Sequence, residues 1–337
     1  MKNNIRLFKS AIDNPFTRFF LSKFGYCKTY YENILEVALD LYIGSRKNAC
    51  KKCKLAENFL SQLITSSGKF FGVKQEDLKN RFKDLYWKKG LANVISGIAT
   101  FGVEKPFVPG APFLIVWDIT KKCNLSCKHC YANAGEEDQE QISTSQAKNI
   151  IDRLSKNSVP IISFSGGEPL VRDDIFELTK YAAEKGIYVG LATNGTLITK
   201  QKAQQMKNAS INFVQISLDG ATAETHDSFR GVNGMFEKTV QGIKNCVDQE
   251  FFVNVATVAT KHNISEIPDT ISLCDDLSVK WFMMYNFVPV GRGESIITTD
   301  LTPDQREKLL TNLYKGLRDD NVNVDLLSTA PQFARVA

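Results

Sequence analysis

The spacing of apolar and polar positions changes near residue 100 of this 337-residue chain. In Tyr30–Tyr42 the apolar side chains recur three and four residues apart, and the segment from Leu55 to Ile64 repeats that spacing. An apolar stripe with this period is typical of helices that bury one face. Residues 1–100 are therefore predicted to form an all-α region of four or five helices. A linker at 101–112, rich in proline and glycine, follows it.

Beyond the linker, short apolar runs rich in β-forming residues alternate with helical patterns. The six predicted strands lie at 113–119, 161–164, 188–192, 213–218, 252–258 and 281–288. The helical patterns lie at 144–156, 173–185, 200–208, 235–248, 266–277 and 302–318. Strands that alternate with helices indicate parallel pairing through right-handed crossovers, whereas a closed eight-stranded barrel needs about 250 residues. The predicted fold class is α/β, a partial (β/α)6 TIM-like barrel over 113–295 with an all-α N-terminal extension.

The remaining residues, 296–337, are predicted to hold the last of these helices and a possible strand at 322–326. We expect the chain to stop before a further domain. Composition is that of a globular protein, with 43% apolar and 23% charged residues. No apolar run is long enough to span a bilayer, and the N-terminus lacks the features of a signal peptide. We therefore expect a cytoplasmic protein whose eight cysteines are reduced thiols.

Charge is divided unevenly along the chain. Residues 1–110 carry 19 Lys and Arg against 9 Asp and Glu, whereas the remainder has a net charge of −5. A basic region suits an anionic partner in principle. The lysines and arginines here follow helical patterns as solvated faces, however, and no nucleic-acid-binding motif accompanies them. We expect no nucleic-acid partner.

Three cysteines follow the first predicted strand with the spacing C-x3-C-x2-C: Cys123, Cys127 and Cys130. A structural zinc site needs a fourth cysteine or histidine, usually from a second pair. The cysteines downstream are solitary and lie in helical patterns. Three thiolates on a four-iron cluster leave one iron open, and an open coordination position is typical of a catalytic metal site.

A second motif, Ser165-Gly-Gly-Glu-Pro169, follows the second predicted strand. The two motifs in this order resemble the radical S-adenosylmethionine (radical SAM) superfamily, in the branch of SPASM-type peptide-maturation and haem-pathway proteins. The resemblance implies a [4Fe-4S] cluster on the three cysteines, with S-adenosylmethionine chelating the open iron. It also implies reductive cleavage of S-adenosylmethionine to a 5′-deoxyadenosyl radical that abstracts hydrogen from a substrate. The electron would come from a reductant such as a ferredoxin or flavodoxin.

The resemblance further implies cofactor-binding residues at the ends of successive strands. They are Gly166, Gly167, Glu168, Pro169, Thr193, Asn194, Ser217 and Arg230. Glycines let a backbone approach a ligand closely. Glu168 is expected to accept from the cofactor's ammonium group, and Arg230 is expected near its carboxylate. Asp219 is either a ligand of the cofactor or a turn residue, and Arg292 either belongs to a motif of this branch or is solvated. His129 occupies a position that is often aromatic in the superfamily.

The predicted function is that of a radical SAM enzyme that modifies a peptide or protein. The alternative is biosynthesis of a tetrapyrrole (haem-type) or another small metabolite. A second alternative, a non-catalytic iron–sulfur protein, has no use for an open iron beside the Gly-Gly-Glu-Pro motif. Two interpretations remain open for Cys27, Cys50 and Cys53, namely a second metal site or reduced structural thiols. Cys246 and Cys274 are predicted to be core residues.

Overall fold

The protein is described by a computed structural model at residues 12–135, 141–319 and 321–336. The first residues of the N-terminal extension therefore lie outside the described residues, as do Asp320 and the final residue. None of the described helices is long and apolar enough to cross a membrane. The chain forms two compact units. One comprises the chain up to residue 115 together with 145–162 and 181–188, and the other comprises 116–144, 163–180 and the chain from 189 onwards.

The N-terminal part of the first unit is helical, as predicted. Its helices are α1 (Pro15–Ser22), α2 (Ile34–Ile43), α3 (Lys51–Phe71), α4 (Gln75–Arg81) and α5 (Leu85–Phe101). A small antiparallel hairpin, β1 (Tyr26–Cys27) and β2 (Glu32–Asn33), lies between the first two helices. Strands of two residues are too short to leave a period in the sequence, so hydrophobic patterning does not predict them.

Local sequence explains where α2 begins and ends. The side chain of Asn33 accepts a hydrogen bond of 2.8 Å from the backbone N–H of Leu35, which satisfies an otherwise unpaired donor at the N-terminus. Gly44 ends the helix in the left-handed conformation, with φ of 81°. Leu35 and Leu39 on this helix are buried in the core of the unit together with Leu60 of α3. Burial of a leucine side chain contributes about 2 kcal/mol each to folding.

A seven-stranded sheet forms the core of the α/β region, in the order β3-β4-β5-β6-β7-β8-β9. The strands are β3 (Leu114–Asp118), β4 (Ile161–Ser165), β5 (Tyr188–Thr193), β6 (Phe213–Ser217), β7 (Phe252–Ala259), β8 (Trp281–Asn286) and β9 (Asp325–Ser328). Strands β5 to β9 pair in parallel. Because β3 and β9 lie at opposite edges, the sheet is open. The predicted partial TIM-like barrel is confirmed.

Eight helices follow or connect the strands in the described part of this region. They are α6 (Thr144–Lys156), α7 (Ile175–Glu184), α8 (Lys200–Asn208), α9 (Ala223–Arg230), α10 (Met235–Asp248), α11 (Ile267–Asp276), α12 (Pro303–Leu317) and α13 (Phe333–Val336). Six of them lie within two residues of the predicted bounds, whereas α9 and α13 were not predicted. Strand β9 begins three residues later than predicted. The backbone N–H groups of Asn323 and Val324 donate to the carboxylate of Asp275, at 2.9 and 3.0 Å, and are therefore not used in pairing with β8.

Parallel pairing gathers the carboxyl ends of the strands at one edge of the sheet. The cysteine loop, residues 119–135, follows β3, and the Gly-Gly-Glu-Pro motif follows β4. Asn194 follows β5, and Asp219 comes two residues after β6. The motifs that the sequence analysis singled out therefore lie at neighbouring strand ends.

Candidate functional site

The three cysteines of the cysteine loop lie in a small apolar environment. Cys127 is buried, Cys123 and Cys130 are half-buried, and Leu125 and Met235 pack against them. Among the described residues, these three sulfurs do not all lie within 4.8 Å of one another, as the ligands of a single metal ion would. The wider spacing suits a cluster of several irons. Burial raises the pKa of the Cys123 thiol to about 11, so it stays protonated near neutral pH until a positive centre binds.

Several hydrogen bonds to backbone groups hold the cysteine loop in place. The backbone N–H of Cys123 donates to the carbonyl of Gly135 at 2.7 Å. Arg292 reaches the loop from a 3₁₀ helix after β8: its Nε donates to the carbonyl of Cys127 at 2.9 Å, and its Nη1 donates to that of Ala134 at 2.6 Å. Arg292 therefore belongs to the site, and the alternative that it is solvated is wrong.

The two glycines of the second motif pack against the start of the cysteine loop. Gly166 has φ of +124°, a region that residues with a side chain rarely adopt. A Cβ on Gly167 would lie 2.1 Å from the carbonyl oxygen of Lys122. The N–H of Gly167 donates to Thr120 and that of Glu168 donates to Lys122, both at 2.8 Å. The glycines thus permit a close approach between two segments of the protein itself, in addition to the predicted approach to a ligand.

Glu168 is fully buried and holds two strand ends together. Its carboxylate accepts hydrogen bonds from the hydroxyl of Thr193 and the N–H of Asn194, each at 2.7 Å, and from the N–H of Leu170 at 3.0 Å. Burial raises the pKa of the Glu168 carboxyl, while these three donors favour its charged form. The chain itself therefore supplies three donors to Glu168. Its role towards the ammonium group of a cofactor stays a prediction.

Apart from Arg230, the other predicted cofactor-binding residues lie at or just after the ends of β4, β5 and β6. The roles of all these residues stay predictions. The side-chain amide of Asn194 donates to Asn124 of the cysteine loop at 2.9 Å, so the end of β5 is tied to that loop. Pro169 is buried and begins a 3₁₀ helix. Ser217 ends β6 and pairs in register with Ala256 of β7.

A buried ion pair lies beside the cysteine loop. Asp219 is fully buried, and its Oδ2 lies 2.5 Å from Nη2 of Arg230, in an orientation that is not that of an aligned hydrogen bond. Oδ1 of Asp219 accepts from the N–H of Val258 at 2.8 Å. Nη1 of Arg230 lies 3.6 Å from the sulfur of Cys127. Burial acts to raise the pKa of Asp219, but the positive charge of Arg230 and the N–H of Val258, together with other contributions, lower that pKa overall.

His129 packs as an aromatic ring would. Its imidazole stacks on Phe229, with ring centroids 4.1 Å apart and planes 12° apart, and Phe229 in turn stacks on His262. Nε2 of His129 lies 3.5 Å from the carboxylate of Asp219. Burial lowers the pKa of His129 to about 4, so the ring is neutral near pH 7. This packing explains how a histidine fills a position that is often aromatic in the superfamily.

Several buried polar atoms near the cysteines lack hydrogen-bond partners in the part of the chain that the structure describes, as the atoms of a binding site do before its ligand is present. Within the described chain, Nδ1 of His129, Nε2 of His226 and Nε of Arg230 have no hydrogen-bond partner. Such groups are costly to leave unpaired, and a ligand that carries a carboxylate would supply acceptors for Arg230. Three soft thiol ligands, and beside them an arginine whose Nε has no acceptor among the described residues, are the groups that a [4Fe-4S] cluster and an amino-acid cofactor need.

Residues 117–274 match a family model described as the radical SAM superfamily. The chain belongs to the radical SAM superfamily. Its resemblance to that superfamily is therefore confirmed, and the family implies the [4Fe-4S] cluster and S-adenosylmethionine that the residues above fit. The predicted cluster ligands and the second motif all lie within the matched segment.

Two relatives show how far the sequence similarity extends. It is 36% identical to an AdoMet-dependent heme synthase of Methanosarcina barkeri over 227 residues, 67% of this chain and 64% of that protein. It is also 36% identical to the mycofactocin maturase MftC of Mycobacterium tuberculosis over 202 residues, 59% of this chain and 51% of that protein. The chain thus spans between half and two thirds of the length of these relatives.

The fold is also similar to that of a solved structure. Streptococcus suis SuiB bound to S-adenosylmethionine superposes on 93% of this chain and 72% of its own, with a TM-score of 0.64 and 18% sequence identity. At that level of identity the similarity establishes the fold alone.

Proposed function

We propose that this radical SAM enzyme modifies a tetrapyrrole of the haem type. The observation that carries the substrate class is the similarity to the heme synthase, which extends over 227 residues and includes both motifs. The similarity to the peptide maturase has the same identity but covers 202 residues. The sequence motifs alone favour peptide modification. The longer similarity favours its alternative.

The cysteine loop would hold the cluster through Cys123, Cys127 and Cys130. When bound, the reduced cluster would supply an electron to S-adenosylmethionine and yield the 5′-deoxyadenosyl radical that abstracts hydrogen from the substrate. The residues around it would position this chemistry. Arg230 would bind the cofactor carboxylate with the donor that has no partner among the described residues. Asp219 would keep that guanidinium charged and oriented.

The remaining residues would keep the loop rigid. Arg292 holds two of its carbonyl groups, and Glu168 fixes the adjoining strand end. Rigid support matters because a ligand displaced by about 1 Å loses much of its catalytic effect. The protein's side chains would therefore carry out little acid–base chemistry. Their role would be to position the cofactor and exclude water.

Anaerobic reconstitution tests the radical chemistry. The purified chain is loaded with iron and sulfide, supplied with dithionite and S-adenosylmethionine, and assayed for 5′-deoxyadenosine. We expect product from the unaltered protein and none from Cys127→Ala. Cys246→Ala is the matched control, because Cys246 is a buried cysteine of α10 outside the site. Undiminished product from Cys127→Ala would refute the assignment of this cysteine to the cluster.

A second assay tests the substrate class. An iron porphyrin that carries propionate groups is titrated into the reconstituted protein, and its Soret band and the rate of 5′-deoxyadenosine formation are followed. We expect a Soret shift that saturates near one porphyrin per chain and a several-fold faster rate. An unchanged Soret band together with an unchanged rate would contradict the tetrapyrrole proposal and leave the radical chemistry untouched.

Peptide maturation is the second candidate. The similarity to the mycofactocin maturase supports it. Were it correct, a peptide substrate rather than a porphyrin would accelerate 5′-deoxyadenosine formation in the same assay.

A further inference from the structure

Three cysteines of the helical N-terminal region meet at one point, far along the chain from the cysteine loop. The sulfurs of Cys27 and Cys50 are 3.8 Å apart, those of Cys50 and Cys53 are 3.4 Å apart, and those of Cys53 and Cys27 are 3.6 Å apart. Cys27 and Cys53 are buried, whereas Cys50 is partly exposed. We call these three residues the N-terminal thiol cluster.

The distances distinguish between the structures that three thiols can form. A disulfide has a sulfur–sulfur distance of about 2.05 Å, so no two of these cysteines are bonded, and all three are free. An ion with tetrahedral geometry and metal–sulfur bonds of about 2.3 Å holds its sulfurs about 3.8 Å apart. The observed distances of 3.4 to 3.8 Å match that arrangement. Among the described residues, this is the one group of three Cys, His, Asp or Glu side chains compact enough for a single ion.

Two separate elements bring the cluster together. Cys27 ends β1 of the hairpin, and Cys50 is the residue at the N-terminus of α3. Cys53 lies in the first turn of that helix. Cys50 is the N-cap residue of that helix, so its side chain lies beside the first backbone N–H groups, which have no acceptor within the helix. Such N–H groups stabilise negative charge on sulfur, as the unpaired donors at a helix N-terminus do for other anions.

The charge around the cluster suits a thiolate-bound cation. Three thiolates and a divalent ion carry a net charge of −1. Lys51, Lys52 and Lys54 flank Cys50 and Cys53, and all three lysine side chains are exposed at this end of α3. They offset the negative charge without competing for the ion, since lysine is a hydrogen-bond donor here and not a ligand.

We propose that the N-terminal thiol cluster binds one thiophilic divalent ion of the Zn²⁺ class, apart from the [4Fe-4S] centre. The ion fastens the hairpin to the start of α3. Structural zinc sites use four protein ligands, whereas this group offers three. The fourth position therefore takes water or a small exchangeable ligand such as imidazole, which gains access at the partly exposed Cys50.

The test requires that the other thiol site be removed first. The background variant is the full chain in which the cluster cysteines of the radical SAM motif are replaced: Cys123→Ala, Cys127→Ala and Cys130→Ala. Zinc chloride is titrated into this variant in competition with a chromophoric chelator, under reducing conditions. We expect one Zn²⁺ per chain.

Two further variants are made in the same background. Cys50→Ala with Cys53→Ala removes two of the three ligands and should abolish tight binding. Cys246→Ala with Cys274→Ala removes two buried cysteines that lie outside the cluster and should leave one Zn²⁺ bound. Circular dichroism establishes that each variant remains helical. Binding that is unchanged by the first pair of substitutions, or absent from the folded background variant, would overturn the proposal.

Two measurements need no substitution within the cluster. Zn²⁺ should protect Cys27 and Cys50 of the background variant from alkylation, as mapped by mass spectrometry, and equal labelling with and without the ion would count against the site. With Co²⁺ in place of Zn²⁺, sulfur-to-metal charge-transfer absorption should appear, and added imidazole should shift the ligand-field bands. Because neither readout involves 5′-deoxyadenosine, a failure here is distinct from a failure of the proposed enzymatic function.

Discussion

Replacing Gly167 by alanine should disrupt the join between the second motif and the cysteine loop. The added Cβ would lie 2.1 Å from the carbonyl oxygen of Lys122 and 2.9 Å from that of Lys121. Both neighbours are backbone atoms, so no side-chain rotation relieves the contact. Because non-bonded carbon and oxygen atoms rarely approach within about 3 Å, the segment that leads into Cys123 must move by about 1 Å.

The expected loss in the free energy of unfolding follows from the contacts that this movement breaks. The N–H groups of Gly167 and Glu168 donate to Thr120 and Lys122 at 2.8 Å, and each such hydrogen bond contributes about 1 kcal/mol. Forcing an extra carbon into a packed region costs about 1–3 kcal/mol more. The total loss is about 3–5 kcal/mol. For a unit of this size, that loss lowers the melting temperature by at least about 6 °C.

Thermal unfolding and iron content measure the effect. The control is Gly135→Ala, a glycine at the other end of the same loop, whose added Cβ would meet no described atom within 4 Å. We expect Gly167→Ala to melt well below the control and to retain less iron after reconstitution. If both variants melted together and bound equal iron, the close approach between the two segments would not be what positions the cysteines.

Three further outcomes are expected. Asp219→Leu should lower the free energy of unfolding by about 3–5 kcal/mol because it leaves the guanidinium of Arg230 buried and unpaired. Adding Arg230→Met should recover part of that loss. Strictly additive losses in thermal unfolding would contradict the pairing. His129→Phe should keep the stack on Phe229 and melt above His129→Ala by an amount equivalent to about 2 kcal/mol, whereas equal melting temperatures would show that the stack is unimportant. Asp174→Asn should make the melting temperature less dependent on pH in the acid range. Burial acts to raise the pKa of Asp174, but hydrogen bonds from Arg172 and Thr144 lower it overall. The stability that Asp174 contributes is therefore complete above pH of about 4 and is lost as the pH falls through the lowered pKa. A variant with the same melting temperatures as the unaltered protein from neutral to strongly acidic pH would refute this.

The sequence predicted the α/β architecture well because strands buried on both faces and amphipathic helices leave distinct periods. Helices α6, α8 and α10 have the predicted bounds. The hairpin of β1 and β2 was missed because each strand has two residues. The predicted β9 begins too early because the apolar pattern extends into the preceding segment, whose N–H groups donate to Asp275 instead of to a strand.

The sequence predicted the two motifs of the site, but it did not predict the contacts that support them. The cysteine spacing and the glycine pair are local patterns, so a single sequence displays them. Arg172 was missed, although it is buried and donates to the carbonyls of Ile119 and Ile142. An arginine followed by two aspartates is typical of an exposed helix start, and nothing in the local sequence indicates that this one crosses to the residues after β3. Contacts between residues far apart in sequence leave no such pattern.

Arg292 has a consequence for how the enzyme is made. It donates to two carbonyl groups of the cysteine loop from a position more than 150 residues later in the chain. During synthesis the three cysteines therefore leave the ribosome long before the residue that holds their loop, and this order follows from the high sequence separation of the contact. We therefore expect iron supplied to a nascent chain to meet a cysteine loop that lacks these two hydrogen bonds. The loop acquires its last supporting contacts only after β8 and the segment that follows it have folded.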